Sequence, residues 1–295
     1  MKEDIAQQSW RLMADCHNQL GESPVWVAQD QALWWVDIER PRIWRCYWPN
    51  GPVQQWEPPL RVTAMAPRRQ GGFVAATERG FAFFDDPQGP YHLIGNPESG
   101  QWRNRFNDGA VDRHGYFWAG SMDILESAPS GHLYRLAPNG QWQRADSGYH
   151  VANGPAFSPD GRTLYHNDSL LRTTYAYGLD DTGAIIDKRI FLQFSKEDGA
   201  PDGMAVDTGG DVWISFWEGA CVRRFSAQGL LQAQIHLPVS RPTSLAFGGP
   251  ERDWLFITTA EEPTATALEE PKRYAGALLA VQAGVQGLEL LPFAG

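Results

Sequence analysis

The chain has 295 residues, 42% of them hydrophobic, with 30 glycines, 21 prolines and 13 tryptophans, and it carries a formal net charge of −10. That is enough apolar material for a sizeable core, and turns and aromatics spread over the whole length favour many short strands over long helices. The acidic balance and the lack of a basic stripe exclude an ordinary nucleic-acid binder; the charge also repels anions at long range, so a neutral ligand, or one held by a bound cation, suits the field better.

The first ten residues are polar, and no run of about 18 apolar residues occurs. A cytoplasmic protein with no membrane partner is expected. Cys16, Cys46 and Cys221 are odd in number and far apart. They lack the close pairing of a redox or metal site and are read as packing residues with reduced thiols.

In chain order, a set of short patterns returns six times. A polar residue opens a short strand at Glu22, Thr63, Asn107, Asn153, Asp202 and Thr243. A strongly apolar strand follows, as in Leu33-Trp-Trp-Val-Asp-Ile, Gly72-Phe-Val-Ala-Ala-Thr and Val212-Trp-Ile-Ser-Phe-Trp. An alternating strand comes third, for example Arg42-Ile-Trp-Arg-Cys-Tyr and His132-Leu-Tyr-Arg-Leu, and a more polar fourth such as Val53-Gln-Gln-Trp-Glu ends most repeats. The period of roughly 40–48 residues is that of a propeller blade. The expected fold is all-β: one six-bladed β-propeller domain over residues 1–295, with four-stranded blades around a central metal-binding channel. The last repeat is short of an outer strand. Trp10–Cys16 is expected to supply it and close the ring, with Leu288–Phe293 as the competing segment.

In a propeller the first strand of each blade lines the channel, so the six opening residues form a ring about the axis. Four of them, Glu22, Asn107, Asn153 and Asp202, bring carboxylate or amide oxygens. Two buried carboxylates repel unless a proton or a cation lies between them. An all-oxygen donor set suits Ca²⁺, Mg²⁺ or Mn²⁺, and Zn²⁺ or Fe²⁺ could be held there by oxygens and water. Taken singly, each residue is more naturally a turn cap; their equivalent positions are what point to a central cation.

Leu20-Gly-Glu-Ser-Pro-Val-Trp26, Arg105-Phe-Asn-Asp-Gly109, Asn153-Gly, Pro201-Asp-Gly-Met204 and Phe247-Gly-Gly249 resemble, in order, the signatures of the gluconolactonase/regucalcin-like (senescence marker protein) family. The resemblance runs from about residue 10 to the terminal Phe293-Ala-Gly295. It implies a hydrolase that opens sugar lactones to aldonic acids in carbohydrate catabolism, with one divalent cation on the axis. It further implies Glu22, Asn153 and Asp202 as metal ligands, Asn107 beside the metal or substrate, and Arg105 and Glu126 (on the loop from Asp123 to Ser130) as substrate contacts. Asp202 is the candidate general base, since a carboxylate positioned by a cation can take the proton of an attacking water. No Ser or Cys occupies the ring and no G-x-S-x-G elbow is present, which argues against a covalent route. A monomer acting on a small-molecule sugar lactone is expected. A metal-dependent esterase or phosphotriesterase of paraoxonase type, and a non-catalytic calcium-binding propeller, remain as alternatives.

Other residues stand near these motifs. His166 and Asp168 read as a packed strand end, and His150 as a weaker pocket neighbour. Trp217 and Glu218 are placed where they could reach a channel mouth. Trp26, Trp34, Trp35, Trp118 and Trp213 read as inter-blade core. The acidic segment from Glu261 to Glu270 reads as a solvated loop.

Overall fold

A computed structural model describes residues 10–262 and 273–295, so most of the acidic segment from Glu261 to Glu270 lies outside the described residues. The strands form six four-stranded antiparallel sheets arranged as blades, a six-bladed β-propeller. The inner strands are Gly21–Val27, Val62–Pro67, Asn104–Val111, Ala152–Phe157, Ala200–Val206 and Pro242–Gly248, which begin blades one to six. Among the described residues, helical structure is confined to short 3-10 turns, at Lys196–Asp198 and at 273–274.

Each blade is pressed between two neighbours, so its middle strands are buried on both faces. This is why Ala32–Asp37 is enclosed along its whole length and why these segments lack polar alternation. Apolar side chains of adjacent blades mesh, as where Trp213, Val222 and Ile235 of blade five pack with Leu245, Phe247 and Leu279 of blade six. The buried indoles need acceptors, and the repeat supplies them in the same way more than once. Trp118 Nε1 donates to Asp112 (2.8 Å) and Trp213 Nε1 to Asp207 (3.0 Å), while Arg135 and Arg224 of the following strands pair with the same carboxylates (3.1 and 2.9 Å). Blade one repeats the device with Trp34, Asp30 and Arg45. The three cysteines are buried and unpaired, and burial pushes their thiols up, which suits packing rather than nucleophilic roles.

The ring closes through the amino-terminal segment. Arg11–Ala14 pairs antiparallel with Leu278–Gln282 as the outer strand of blade six. The competing segment goes elsewhere. Leu288 donates to the carbonyl of Val206 in blade five (3.3 Å) and Phe293 to that of Pro67 in blade two (2.8 Å). The tail therefore crosses the face at the far ends of the inner strands, opposite the ring of opening residues. Phe293 is fully buried there against Phe83 and the core of blades two and three. Phe293→Ala is expected to cost about 3–5 kcal/mol, read as a lower urea midpoint; an unchanged midpoint would mean that the tail is not part of the cooperative unit.

Candidate active site

The inner strands converge at their starts, and all six opening residues lie on them. In every inner strand the register with its neighbour slips at this place: between Glu22 and Val25, Val62 and Ala64, Phe106 and Gly109, Asn153 and Ala156, Pro201 and Met204, and Pro242 and Leu245. A bulge re-aims a side chain out of the sheet plane, and here the slip recurs in all six blades beside the axis.

The structure divides the ring. Thr63 donates its hydroxyl to the carbonyl of Ala76 (3.3 Å) and Thr243 donates to that of Gly21, so these two are tied to neighbouring strands. Glu22, Asn107, Asn153 and Asp202 instead line a cavity of about 270 Å³, together with Arg105, Glu126, Ser169, Arg172, Trp217 and Glu218. Every residue singled out from the sequence as metal-ligating, substrate-binding or catalytic is brought to this one cavity. Trp217 and Glu218 reach the channel mouth, as their position in the repeat suggested.

A chain of hydrogen bonds crosses the floor of the cavity. Arg105 donates to Asn107 Oδ1 (2.6 Å), Asn107 Nδ2 to Asn153 Oδ1 (2.6 Å), Asn153 Nδ2 to Ser169 Oγ (2.8 Å) and Ser169 Oγ to the carbonyl of Pro201 (2.6 Å). The last bond sets the others. With its hydrogen held on Pro201, Ser169 offers only a lone pair, so Asn153 must turn its NH₂ there and its carbonyl oxygen inward. Gly154, at φ +48, follows Asn153; a Cβ there would lie 2.9 Å from the backbone nitrogen of Met204, so only glycine fits.

The acids are held under strain. Burial first, and then the charge of Asp108, holds the Glu22 carboxyl well above the usual carboxylate range. Burial, then Glu22 and Asp108, does the same to Asp202, whose Oδ1 is enclosed without any hydrogen-bond donor. Asp108 is the acid that sequence reading passed over, although it sits inside the Arg105–Gly109 motif. Burial pushes it up to about 6, against the hydrogen bonds it accepts from the backbone N–H groups of Gly109 (2.7 Å) and Gly154 (2.9 Å).

Two further acids anchor the surroundings and carried no signal in the sequence. Asp123 accepts from Arg103 (2.6 Å) and from the backbone of Ser127 and Ala128 (both 3.0 Å), which ties down the loop bearing Glu126. Glu98 accepts from Asn104 (3.1 Å), the residue before Arg105, and pairs with His132 (3.1 Å). His150 is held against Asp168 (3.2 Å) and is not among the residues lining the cavity. His166 is fully buried against Tyr149, and burial lowers it to about 3, so it packs as a neutral ring.

The structure is thus a six-bladed propeller with a carboxylate- and amide-lined pocket at one axial mouth. The sequence profile of the SMP-30/gluconolactonase/LRE-like region matches residues 20–261, and the chain belongs to that family. It is 34% identical to a 6-deoxy-6-sulfogluconolactonase from Pseudomonas putida over 94% of this chain and 95% of that one. It is 33% identical to a pentonolactonase from Haloferax volcanii over 84% of each chain. The fold matches the crystal structure of a calcium-binding protein, regucalcin, from Agrobacterium tumefaciens with a TM-score of 0.92, at 24% identity over 98% of both chains.

The raised acids predict a pH effect. The folded value of Asp108, about 6, stands above its ordinary 3.8, so the stabilisation it contributes is complete below about pH 4 and is lost as pH rises through 6. In cation-stripped protein, Asp108→Asn is expected to gain melting temperature relative to wild type between pH 4 and 7. A difference that stays constant with pH would mean that Asp108 is not a raised acid in the folded protein.

Proposed function

We propose that the chain is a metal-dependent sugar-lactone hydrolase that opens an aldonolactone to the aldonic acid, working in carbohydrate catabolism as a cytoplasmic, monomeric single-domain propeller. Family membership and the two lactonase relatives support a hydrolase of cyclic sugar esters. The single observation that carries metal dependence is the enclosed, donorless Oδ1 of Asp202 beside a second buried acid, Glu22. Such an arrangement calls for a cation, since Asp202 Oδ1 accepts no hydrogen bond and, among the described residues, no basic side chain forms an ion pair with either carboxylate.

The donors fit a hard divalent ion. Glu22, Asn153 and Asp202 offer carboxylate and amide oxygens and no sulfur or imidazole, and among the described residues no three His, Cys, Asp or Glu side chains are placed to hold a metal by themselves, so the amide oxygen of Asn153 is needed. Ca²⁺, Mg²⁺ and Mn²⁺ suit such donors, and Zn²⁺ or Fe²⁺ could be accommodated with water. Glu22, Asn153 and Asp202 would hold the ion, and when bound it supplies Lewis-acid stabilisation of negative charge at the ester carbonyl.

The protein's own residues do the rest. Arg105, held by its 2.6 Å bond to Asn107, presents its remaining N–H donors to the lactone oxygens and ring hydroxyls, while Asn107, whose Nδ2 hydrogens go to Asn153 and to the carbonyl of Ala152, offers only the second lone pair of its Oδ1. Glu126 accepts from the sugar hydroxyls at the rim. Asp202 takes the proton of the attacking water at a carboxylate oxygen, and the carbonyl carbon becomes tetrahedral. Collapse breaks the ring C–O bond, and the departing alkoxide takes up the proton that Asp202 received from the water, which gives the hydroxy acid and restores the carboxylate. Ser169 keeps the Asn153 oxygen pointing inward throughout.

Proton release from five- and six-membered sugar lactones tests this reading with stripped enzyme and with each cation added back. Hydrolysis restored by a cation is expected, and no turnover above the spontaneous rate with any of them would refute it. Asp202→Asn keeps an oxygen ligand but loses the base. Its turnover should fall about 10²–10⁴-fold while calorimetry still detects cation binding; unchanged turnover would take Asp202 out of the proton transfer.

A further inference from the structure

The rim of the cavity carries three charged residues in the left-handed backbone region, which side-chain-bearing residues rarely adopt. They are Glu126 (φ 52), Arg172 (φ 52) and Glu218 (φ 59), and all three line the cavity. They follow the second strands of blades three, four and five, Phe117–Asp123, Thr163–Asp168 and Val212–Trp217. Successive blades thus project −, + and − charges over one pocket. Backbone strain retained at equivalent places around a pocket marks a functional rim.

Arg172 is the odd member. Of the arginines at this end of the propeller, Arg40, Arg103 and Arg241 have acidic partners: Glu261 (3.0 Å), Asp123 (2.6 Å) and Glu218 (2.8 Å); Arg61 and Arg172 both have an Nε enclosed without an acceptor, and of these two only Arg172 lines the cavity. Arg105 is bonded to Asn107. Arg172 has no such partner among the described residues, and its Nε is enclosed without an acceptor. Its backbone is nevertheless firmly placed: its N–H donates to the carbonyl of Ser169 (3.1 Å), and its own carbonyl accepts from Phe194 (3.0 Å) and from the Gln193 side chain (3.1 Å). Asp168 braces the same turn by accepting from Leu171 (3.3 Å). An enclosed guanidinium N–H without an acceptor is costly, and a planar fork of donors is matched by an oxyanion.

We infer that Arg172 reads a fixed negative charge on the substrate, so that the preferred lactone carries a strongly acidic group (a sulfonate, a phosphate or a carboxylate) on the exocyclic carbon away from the reacting ester. This rests on the lactonase reading and narrows its substrate class. The net charge of −10 does not oppose it at this range. Surface charges are screened beyond about 8–10 Å, and Glu218 is already neutralised by Arg241. Glu126, the remaining rim acid, is left to the sugar hydroxyls.

The test compares kcat/KM for glucono-lactone with its 6-sulfonate, 6-phosphate and 6-carboxylate counterparts, in wild type, Arg172→Gln and Arg172→Lys. Wild type is expected to favour at least one anionic lactone over the neutral one by tenfold or more, mainly through KM. That ratio should collapse to about one in Arg172→Gln and be partly kept in Arg172→Lys, and whichever anion shows the largest ratio identifies the group. A wild-type preference for the neutral lactone, or a ratio that Arg172→Gln leaves intact, overturns the inference while the lactonase reading stands. Calorimetry with gluconate and its 6-sulfonate, 6-phosphate and 6-carboxylate counterparts separates the two ideas. If no lactone is hydrolysed, the lactonase reading falls; Arg172-dependent tighter binding of an anionic acid would still support anion recognition, and equal binding would end it.

Discussion

The structure turns on the burial of acids at the starts of the inner strands. Glu22, Asp108 and Asp202 are each almost fully removed from solvent, and their charges act on one another. Unpaired buried carboxylates either hold protons or bind a cation. The surrounding geometry is arranged around that alternative: six bulged strands aim side chains at the axis, and glycine next to Asn153 lets the backbone of blade five come close. The hydrogen-bond chain from Arg105 to Pro201 fixes which amide atoms face the acids.

That constraint also explains the two ends of the channel. Acids and amides gather where the inner strands start. At their far ends the same strands carry Val25, Met65, Met204 and Leu245, and a second, mainly apolar cavity of about 350 Å³ lies there, with Leu288, Leu290 and Leu291 of the terminal tail in its wall. Asp108 borders this cavity as well, at the level where polar lining gives way to apolar. A buried acid so placed has only two backbone N–H groups to stabilise its charge, which is why it titrates so far above an ordinary aspartate.

The fold was legible in the sequence because its signal is repetition. Six returns of the same pattern specify six blades, since each unit can bury its middle strands only against a neighbour of the same kind. The opening residues were legible for the same reason: equivalent places in equivalent blades must meet at the axis. The choice between Trp10–Cys16 and Leu288–Phe293 as the closing segment was not, because both are short segments with suitable apolar content. Hydrogen-bonding geometry at the edge of blade six decided it.

What the sequence determined by itself was the architecture, the ring of candidate oxygens and the family motifs that join Arg105 and Glu126 to it. Only the tertiary structure decided which ring members face the cavity and which, like Thr63 and Thr243, are tied to a neighbouring carbonyl. It alone exposed Asp108 as a third buried acid beside Glu22 and Asp202, Ser169 as the group that orients Asn153, and Arg172 as a cation that lines the cavity with no acidic partner among the described residues. The physical reason is common to all of these. Repetition in a chain fixes where a backbone goes, but whether a polar side chain is satisfied depends on atoms from other blades, far away in sequence, that only folding brings within hydrogen-bonding distance.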